Sequence, residues 1–402
     1  MATMLSKIDT EALELTLQNG CEPLNSPLGG KTMDIKLDFV KPVFPVDVYK
    51  LEKKLYEAVH KTMEEHEGKK IAINLSGGVD STLTLHMLRE LFPEMDLTAY
   101  HLYFGDPSRD ERKYAMKAAG YYKIPLKLIH MDIHKQIELI PDCVTASNVV
   151  MAANVYSYGT AKAMEADEID VVLHSLGPDE YFGAYAVDKR FYERRPFFGM
   201  VQTHGRIMRE LTKRHGTDKA FFVNNLAIAP AERHVNKHKY GMDKWYDDNF
   251  TENMWITLKR WQWEKDMGGQ YRLNAQPVEH LGMKSVAPLL EKNLAEYCFS
   301  CTPLSVYNKA PIRELMRGWN VPEEIVRRGE DWKIGSDDKV GWCPSDKYYQ
   351  SFTKKFFPDN YDMRLVEEVF TSYVTRNLSK WITLGDRRAQ QIGLLLRMLE
   401  LI

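Results

Sequence analysis

The chain lacks a long apolar run: no hydrophobic stretch approaches the roughly 20 residues a helix needs to cross a bilayer. Its opening, MATMLSKIDTEALELTLQ, carries acids where a secretory leader needs an apolar centre. These absences predict a soluble, cytoplasmic protein with no membrane partner. Cysteine is scarce too, and five cysteines at scattered positions cannot build a disulfide framework. The single CxxC, Cys298 and Cys301 in LAEYCFSCTP, stands without the second pair of a four-ligand zinc site. Leu294, Tyr297, Cys298 and Cys301 fall on one helical face, so packed thiols are the expectation. Charge of one sign is also missing. A formal net charge of −2 gives a field that attracts neither DNA nor an anionic membrane.

What is present is globular material: 402 residues, 44% hydrophobic and 27% charged, enough for a sizeable core. Residues 1–45 show no sustained period and contain EPLNSPLGGKT, which reads as a loop in an arm or cap. From 46 to 70, Val48, Leu51, Leu55, Ala58 and Val59 recur at helical spacing. Strands are expected at 71–75, 97–104, 126–131 and 170–176, with helical sequence between them. That alternation predicts an α/β fold, a parallel sheet with helices on both faces over 46–186. From 187 to 402 the chain turns aromatic-rich and is expected to be mostly helical.

The first strand ends in Ser76-Gly77-Gly78 and becomes a helix using Leu83, Met87, Leu88 and Leu91 as its inner stripe. A strand, glycine loop and helix in that order aim backbone N–H groups and a positive helix end at one spot, which suits phosphate. Two familiar loops are excluded. Val79-Asp80 stands where a Walker loop has Lys-Ser/Thr, and no third glycine follows for a dinucleotide fingerprint. A carboxylate beside phosphate is repulsive unless a divalent cation lies between them, so Asp80 implies Mg²⁺ together with a polyphosphate.

With those residues in place, Ser76-Gly77-Gly78-Val79-Asp80-Ser81 resembles the pyrophosphate loop of the N-type ATP pyrophosphatases. LHSLGPDEYFGAY, 173–185, is similar to the asparagine synthetase segment Leu-Ser-Gly-Glu-Gly-Ala-Asp-Glu-Leu-Phe-Gly-Gly-Tyr, matching at Gly177, Asp179, Glu180, Phe182, Gly183 and Tyr185. Pro288, Leu290, Glu291, Lys309 and Arg313 carry a third match, and VPEEIVRRGEDWKIGSDDKVG a fourth. The resemblance spans about 47–342 and implies ATP and Mg²⁺ as cofactors. Ser76, Gly77, Gly78, Ser81 and Gly177 would hold the pyrophosphate. Leu75, Leu102, His174 and Ser175 would line the adenine and ribose. Asp80 and Asp179 would hold Mg²⁺, Lys309 would neutralise the leaving pyrophosphate, and Glu180 is a further catalytic candidate.

The implied function is an amide-forming ligase. It would activate a small carboxylate, aspartate by default, as its adenylate and then join ammonia or an amine. A ligase of the β-lactam synthetase or lasso-cyclase kind, a nucleic-acid-modifying relative and a non-catalytic nucleotide binder are the alternatives. Three departures from the family stand out. The stretch ahead of the loop is too short for the amide-hydrolysing domain of glutamine-using members, so the chain is not expected to make ammonia from glutamine by itself, which leaves a place for a separate glutaminase as partner. Leu176 stands where the family has a glutamate, which leaves room for a larger or less charged amine. The family's arginine before Val-Pro falls near Val286, with Lys284 and Ser285 beside it. Between 188 and 219, nine Lys/Arg against four acids interleave with Phe191, Tyr192, Phe197 and Phe198. The expectation there is a solvated helical face, with nucleic acid not a partner.

Overall fold

The computed structural model describes residues 36–40, 42, 44–103, 110–131, 135, 139, 142–143, 146, 154–183 and 254–329. The basic stretch at 188–219, the boundary at 187, most of the 1–45 arm and the chain beyond 329 lie outside them. So do loop residues Gly105, Asp106 and Pro107.

The chain enters through α1 (Val48–Met63), whose Asp47 side chain accepts the Lys50 N–H as an N-cap. Then follow β1 (Ile71–Asn74), α2 (Val79–Leu91), β2 (Leu97–Tyr103), α3 (Arg112–Tyr121), β3 (Leu126–His130), α4 (Asn154–Ala166), β4 (Val171–Leu173) and the single turn α5 (Pro178–Tyr181). The later described segment holds α6 (Met254–Trp261), a π-helical turn at Gln262–Met267, α7 (Gly268–His280), β5 (Lys284–Val286), α8 (Lys292–Ser300), α9 (Pro303–Val306), α10 (Ala310–Gly318) and α11 (Glu323–Val326). Every strand pairing is parallel, in the order β3-β2-β1-β4-β5. The α/β expectation holds, and so does the mostly helical character of the later segment. β5 is the addition. Lys-Ser-Val is too short to show a period, and it is a strand because it docks beside β4, Val171 opposite Lys284.

Alternation across the pleat divides the core. Ile71, Ile73, Ala99, Val171 and Leu173 share one apolar cluster with Leu51, Leu55 and Val59 of α1 and Leu83, Met87 and Leu88 of α2. Ala72, Tyr100 and Val172 face the other side, under Ala161 and Met164 of α4 and Val278 of α7. α2 is buried on nearly all sides, Thr82 and Thr84 included, rather than along one stripe. Cys298 and Cys301 are buried thiols in the packing between α8 and the entering chain. Phe39 lies 5.2 Å from Phe299, and Phe44 bridges Cys301. No helix among the described residues is long and apolar enough to cross a membrane.

The strand order places a crevice. The chain steps from β1 to β2 on one side and later returns to β4 on the other, so the direction of strand addition reverses at β1. Open α/β sheets bind ligands at the carboxyl ends of the strands at such a point, here between β1 and β4.

His86 of α2 ties four segments together. Its ring stacks on Trp319 at 4.0 Å and 14°, and its nitrogens each lie 3.2 Å from the hydroxyls of Tyr56 and Tyr122. Burial pushes its pKa down to about 4. The folded state therefore releases a proton that the unfolded chain still binds below its ordinary value of 6.5. Stability from the neutral ring is present above that value and is lost as pH falls towards about 4. His86→Gln, which can still bond both tyrosines, should show a shallower loss of thermal midpoint between about pH 6.5 and 4 than the parent. Parallel pH profiles would refute this account.

Candidate active site

The glycine loop is shaped by hydrogen bonds and by close approach. Gly77 has φ +68°, and a Cβ there would lie 2.2 Å from the Tyr114 carbonyl carbon of α3, so no other residue fits. Gly78 N–H donates to Ser76 Oγ at 3.1 Å, which lies 3.1 Å from Ser81 Oγ. Gly78 caps α2 without a side chain. Gly177, past β4, takes φ +114°, and a Cβ there would meet the Tyr181 ring at 2.9 Å. Both central strands thus end in left-handed glycines that turn the chain sharply into a helix carrying an aspartate.

Those aspartates meet one cation. Lys309 Nζ donates to Asp80 Oδ2 at 2.6 Å and lies 2.5 Å from Asp179 Oδ1. Three residues far apart in sequence converge at the crevice between β1 and β4. Lys309 gets there at a conformational cost. Asn308 and Lys309 both sit in the left-handed region, φ +52° and +58°, a strain of roughly 1–3 kcal/mol each. Lys309 N–H bonds the Phe182 carbonyl at 3.0 Å, which sets the turn against the end of α5. Arg313, 3% exposed, donates from Nε to the Asn308 carbonyl at 3.1 Å. Burial opposes charge on Lys309, but Asp179 and Asp80 outweigh it and hold the ammonium well above its ordinary value. Burial pushes the Asp80 carboxyl up to about 6, with Lys309 pulling it back and Asp179 adding to the rise.

Other residues expected at the site occupy the same rim. The Leu75 carbonyl accepts His101 Nδ1–H at 2.8 Å, and Leu102 is half-buried near the end of β2. His174 N–H bonds the Val286 carbonyl at 2.9 Å, and burial lowers its ring to about 4, so it is neutral. Glu180 is buried beside Asp179, 1% exposed. Leu176 packs half-buried against the main core. His101 escaped sequence reasoning, although one imidazole in the otherwise apolar LTAYHLYF was a signal. A carbonyl can only accept, so His101 carries its proton on Nδ1 and offers a lone pair at Nε2.

Four buried atoms here have no hydrogen-bond partner among the described residues: Asp80 Oδ1, His101 Nε2, His174 Nε2 and Ser175 Oγ. Unmet buried groups cost about 1–3 kcal/mol each, so the rim suits a polar ligand that would satisfy them. The donor set also fits Mg²⁺. The carboxylates already flank a cation, the ammonium of Lys309, and no cluster of three or more metal-ligating side chains exists among the described residues. Mg²⁺ typically takes one or two carboxylates and completes its shell with phosphate oxygens and water.

Removing the ammonium leaves two carboxylates facing each other, one of them well buried. Lys309→Met should lower unfolding free energy by about 1–3 kcal/mol, a value reduced for the exposure of Asp179. Adding Asp179→Asn should restore part of the loss. Denaturant titration of the three proteins measures both, and additive effects would show that the groups do not interact.

Residues 50–341 match the family model described as asparagine synthase. Among curated proteins, tRNA(Ile)-lysidine synthases of Yersinia pseudotuberculosis and Yersinia pestis are 34% identical over 73 residues, 17% of this chain and 16% of theirs. Among solved structures, the NH3-dependent NAD synthetase of Campylobacter jejuni aligns at 16% identity and TM-score 0.25, over 35% of this chain and 62% of that one. The U34-tRNA thiolase NcsA of Methanococcus maripaludis aligns at 15% and TM-score 0.29, over 73% and 86%. Scores this low say nothing of substrate. The lysidine synthase match overturns the expectation that nucleic acid is not a partner, which rested on the near-neutral net charge and on 188–219 as a solvated helical face, because the relatives matched are named for a tRNA. The family match runs for 292 residues through the glycine loop, both aspartates, Lys309 and Arg313, and the chain belongs to the asparagine synthase family.

Proposed function

We propose that the protein uses ATP to adenylate an oxygen of its acceptor and then joins a nitrogen nucleophile there, with a tRNA base as the acceptor. Members of the family use ATP and Mg²⁺ for adenylation chemistry. The convergence of Asp80, Asp179 and Lys309 on the end of a glycine loop supports that chemistry here. The curated relatives matched over 73 residues favour the tRNA acceptor.

The roles follow from the charges. Loop amides with the Ser76 and Ser81 hydroxyls would bind the polyphosphate, and Leu75, Leu102, His174 and Ser175 would line the nucleoside. Asp80 and Asp179 would hold Mg²⁺, which neutralises phosphate charge when bound. The acceptor oxygen attacks the α-phosphorus, the bond to pyrophosphate breaks, and Lys309 would stabilise the charge leaving with it. The nitrogen nucleophile then attacks the activated carbon, loses a proton, and AMP departs. Glu180 stands beside Asp179 as a group that could take that proton.

A second reading, a small carboxylate such as aspartate as acceptor, has its own support in the family match, which continues past Lys309 to residue 341. Leu176 disfavours ammonia as its nucleophile, because no carboxylate stands there to orient a small cation.

Incubation with ATP and Mg²⁺ should yield AMP and pyrophosphate, and a tRNA pool should stimulate AMP release more than free amino acids do. Stimulation should fall steeply with salt, as phosphate contacts do. Stimulation by carboxylates alone would favour the second reading, and ADP as the product would sink both. Asp80→Asn should cut AMP formation by about a hundredfold or more while leaving the circular dichroism spectrum unchanged. Near-normal turnover would mean that the cation is held elsewhere.

A further inference from the structure

Arg328, two residues past α11, lies with its guanidinium against the glycine loop. Nη1 donates to the Ser76 carbonyl, Nη2 pairs with Glu111 at the start of α3, and Cζ lies 4.9 Å from the centroid of the Tyr114 ring. Nη1 also lies 3.7 Å from where a Cβ on Gly78 would stand, and the side chain is only 18% exposed. Arg313 is the link to Lys309. The same guanidinium that donates to the Asn308 carbonyl donates to the carbonyls of Val326 and, at 3.1 Å, Arg328. One buried arginine therefore sets the backbone of both cation-bearing turns.

Charge around the loop gives a second protein cation a role. Asp80 and Asp179 outnumber Lys309, so before Mg²⁺ binds this cluster repels a polyphosphate. We propose that Arg328 is the second cation of the polyphosphate site, contacting phosphate oxygens of ATP from the Glu111 side of the loop. This rests on the reading above, that ATP lies across Ser76–Ser81. Guanidinium has five donors in a planar fork that matches phosphate. Glu111, with its side chain 40% exposed, is the partner a phosphate would displace. Ser76 would keep its bond, so the loop would hold its shape as the anion arrives.

The probes are inorganic pyrophosphate, ATP and AMP, titrated with Mg²⁺ against the full chain by calorimetry. Arg328→Ala should weaken pyrophosphate and ATP about ten- to a hundredfold and change AMP less than about twofold. Arg328→Lys should recover part of that loss as a point charge. Glu111→Gln, which removes the competing carboxylate, should tighten pyrophosphate. Unchanged pyrophosphate affinity in Arg328→Ala, or equal weakening of pyrophosphate and AMP, would overturn the assignment and leave Arg328 a structural clamp. Should Arg328→Ala lose its thermal transition, Glu111→Gln carries the test, and failure to tighten pyrophosphate overturns the proposal. A folded parent that binds neither ATP nor pyrophosphate would refute the adenylation reading, and the role of Arg328 with it.

Discussion

Much of the architecture is organised around one ammonium held between two carboxylates. Asp80 follows the central strand β1 and Asp179 follows its neighbour β4, so the fold brings two negative groups to one crevice. Asp80 is largely withdrawn from solvent, and two carboxylates flanking one point would repel without a cation between them. Lys309 supplies it from the later, helical part of the chain. Two consecutive left-handed residues and a buried arginine are committed to presenting it. Strain of this kind persists only where surrounding structure over-determines it.

The same crevice carries an unusual share of unmet polarity. Orphaned atoms on Asp80, His101, His174 and Ser175 gather at the ends of three adjacent strands, β2, β1 and β4. The histidines among them are kept neutral by burial, and so is His86 in the packing behind the loop. The site is thus built from lone pairs and anions, with cations delivered by segments from outside the first βαβ units. That division suits a substrate that is polar at its nucleoside end and strongly anionic at the other.

Family and relatives bear on different parts of the problem. The asparagine synthase match covers both halves of the described chain, and its range includes the loop, the second carboxylate and Lys309. The lysidine synthase match is confined to 73 residues, 17% of this chain, against the 292 of the family match. Leu176 sharpens the question of the nucleophile. Its side chain rests on the apolar core, so the position offers packing where an acid would offer charge.

Local pattern made the nucleotide half legible. The strand–loop–helix around Ser76-Gly77-Gly78, the α1 stripe and four of the five described strands follow from periodicity and glycine placement, because backbone geometry and apolar burial are dictated within a few residues. The aspartates were legible too, since a carboxylate in a phosphate loop is anomalous without a cation. β5 was not, because three residues show no period and become a strand only when β4 offers hydrogen-bonding groups. The full burial of α2 was hidden for a similar reason: its second face is covered by segments that arrive much later in sequence. Above all, the sequence could nominate Lys309 by resemblance but could not place it. Its position depends on left-handed backbone at Asn308 and Lys309, on the Phe182 carbonyl and on Arg313, contacts that exist only once the helical segment has packed against the sheet. His101 and Arg328 belong to the same class, ordinary residues whose placement at the loop is a product of long-range packing.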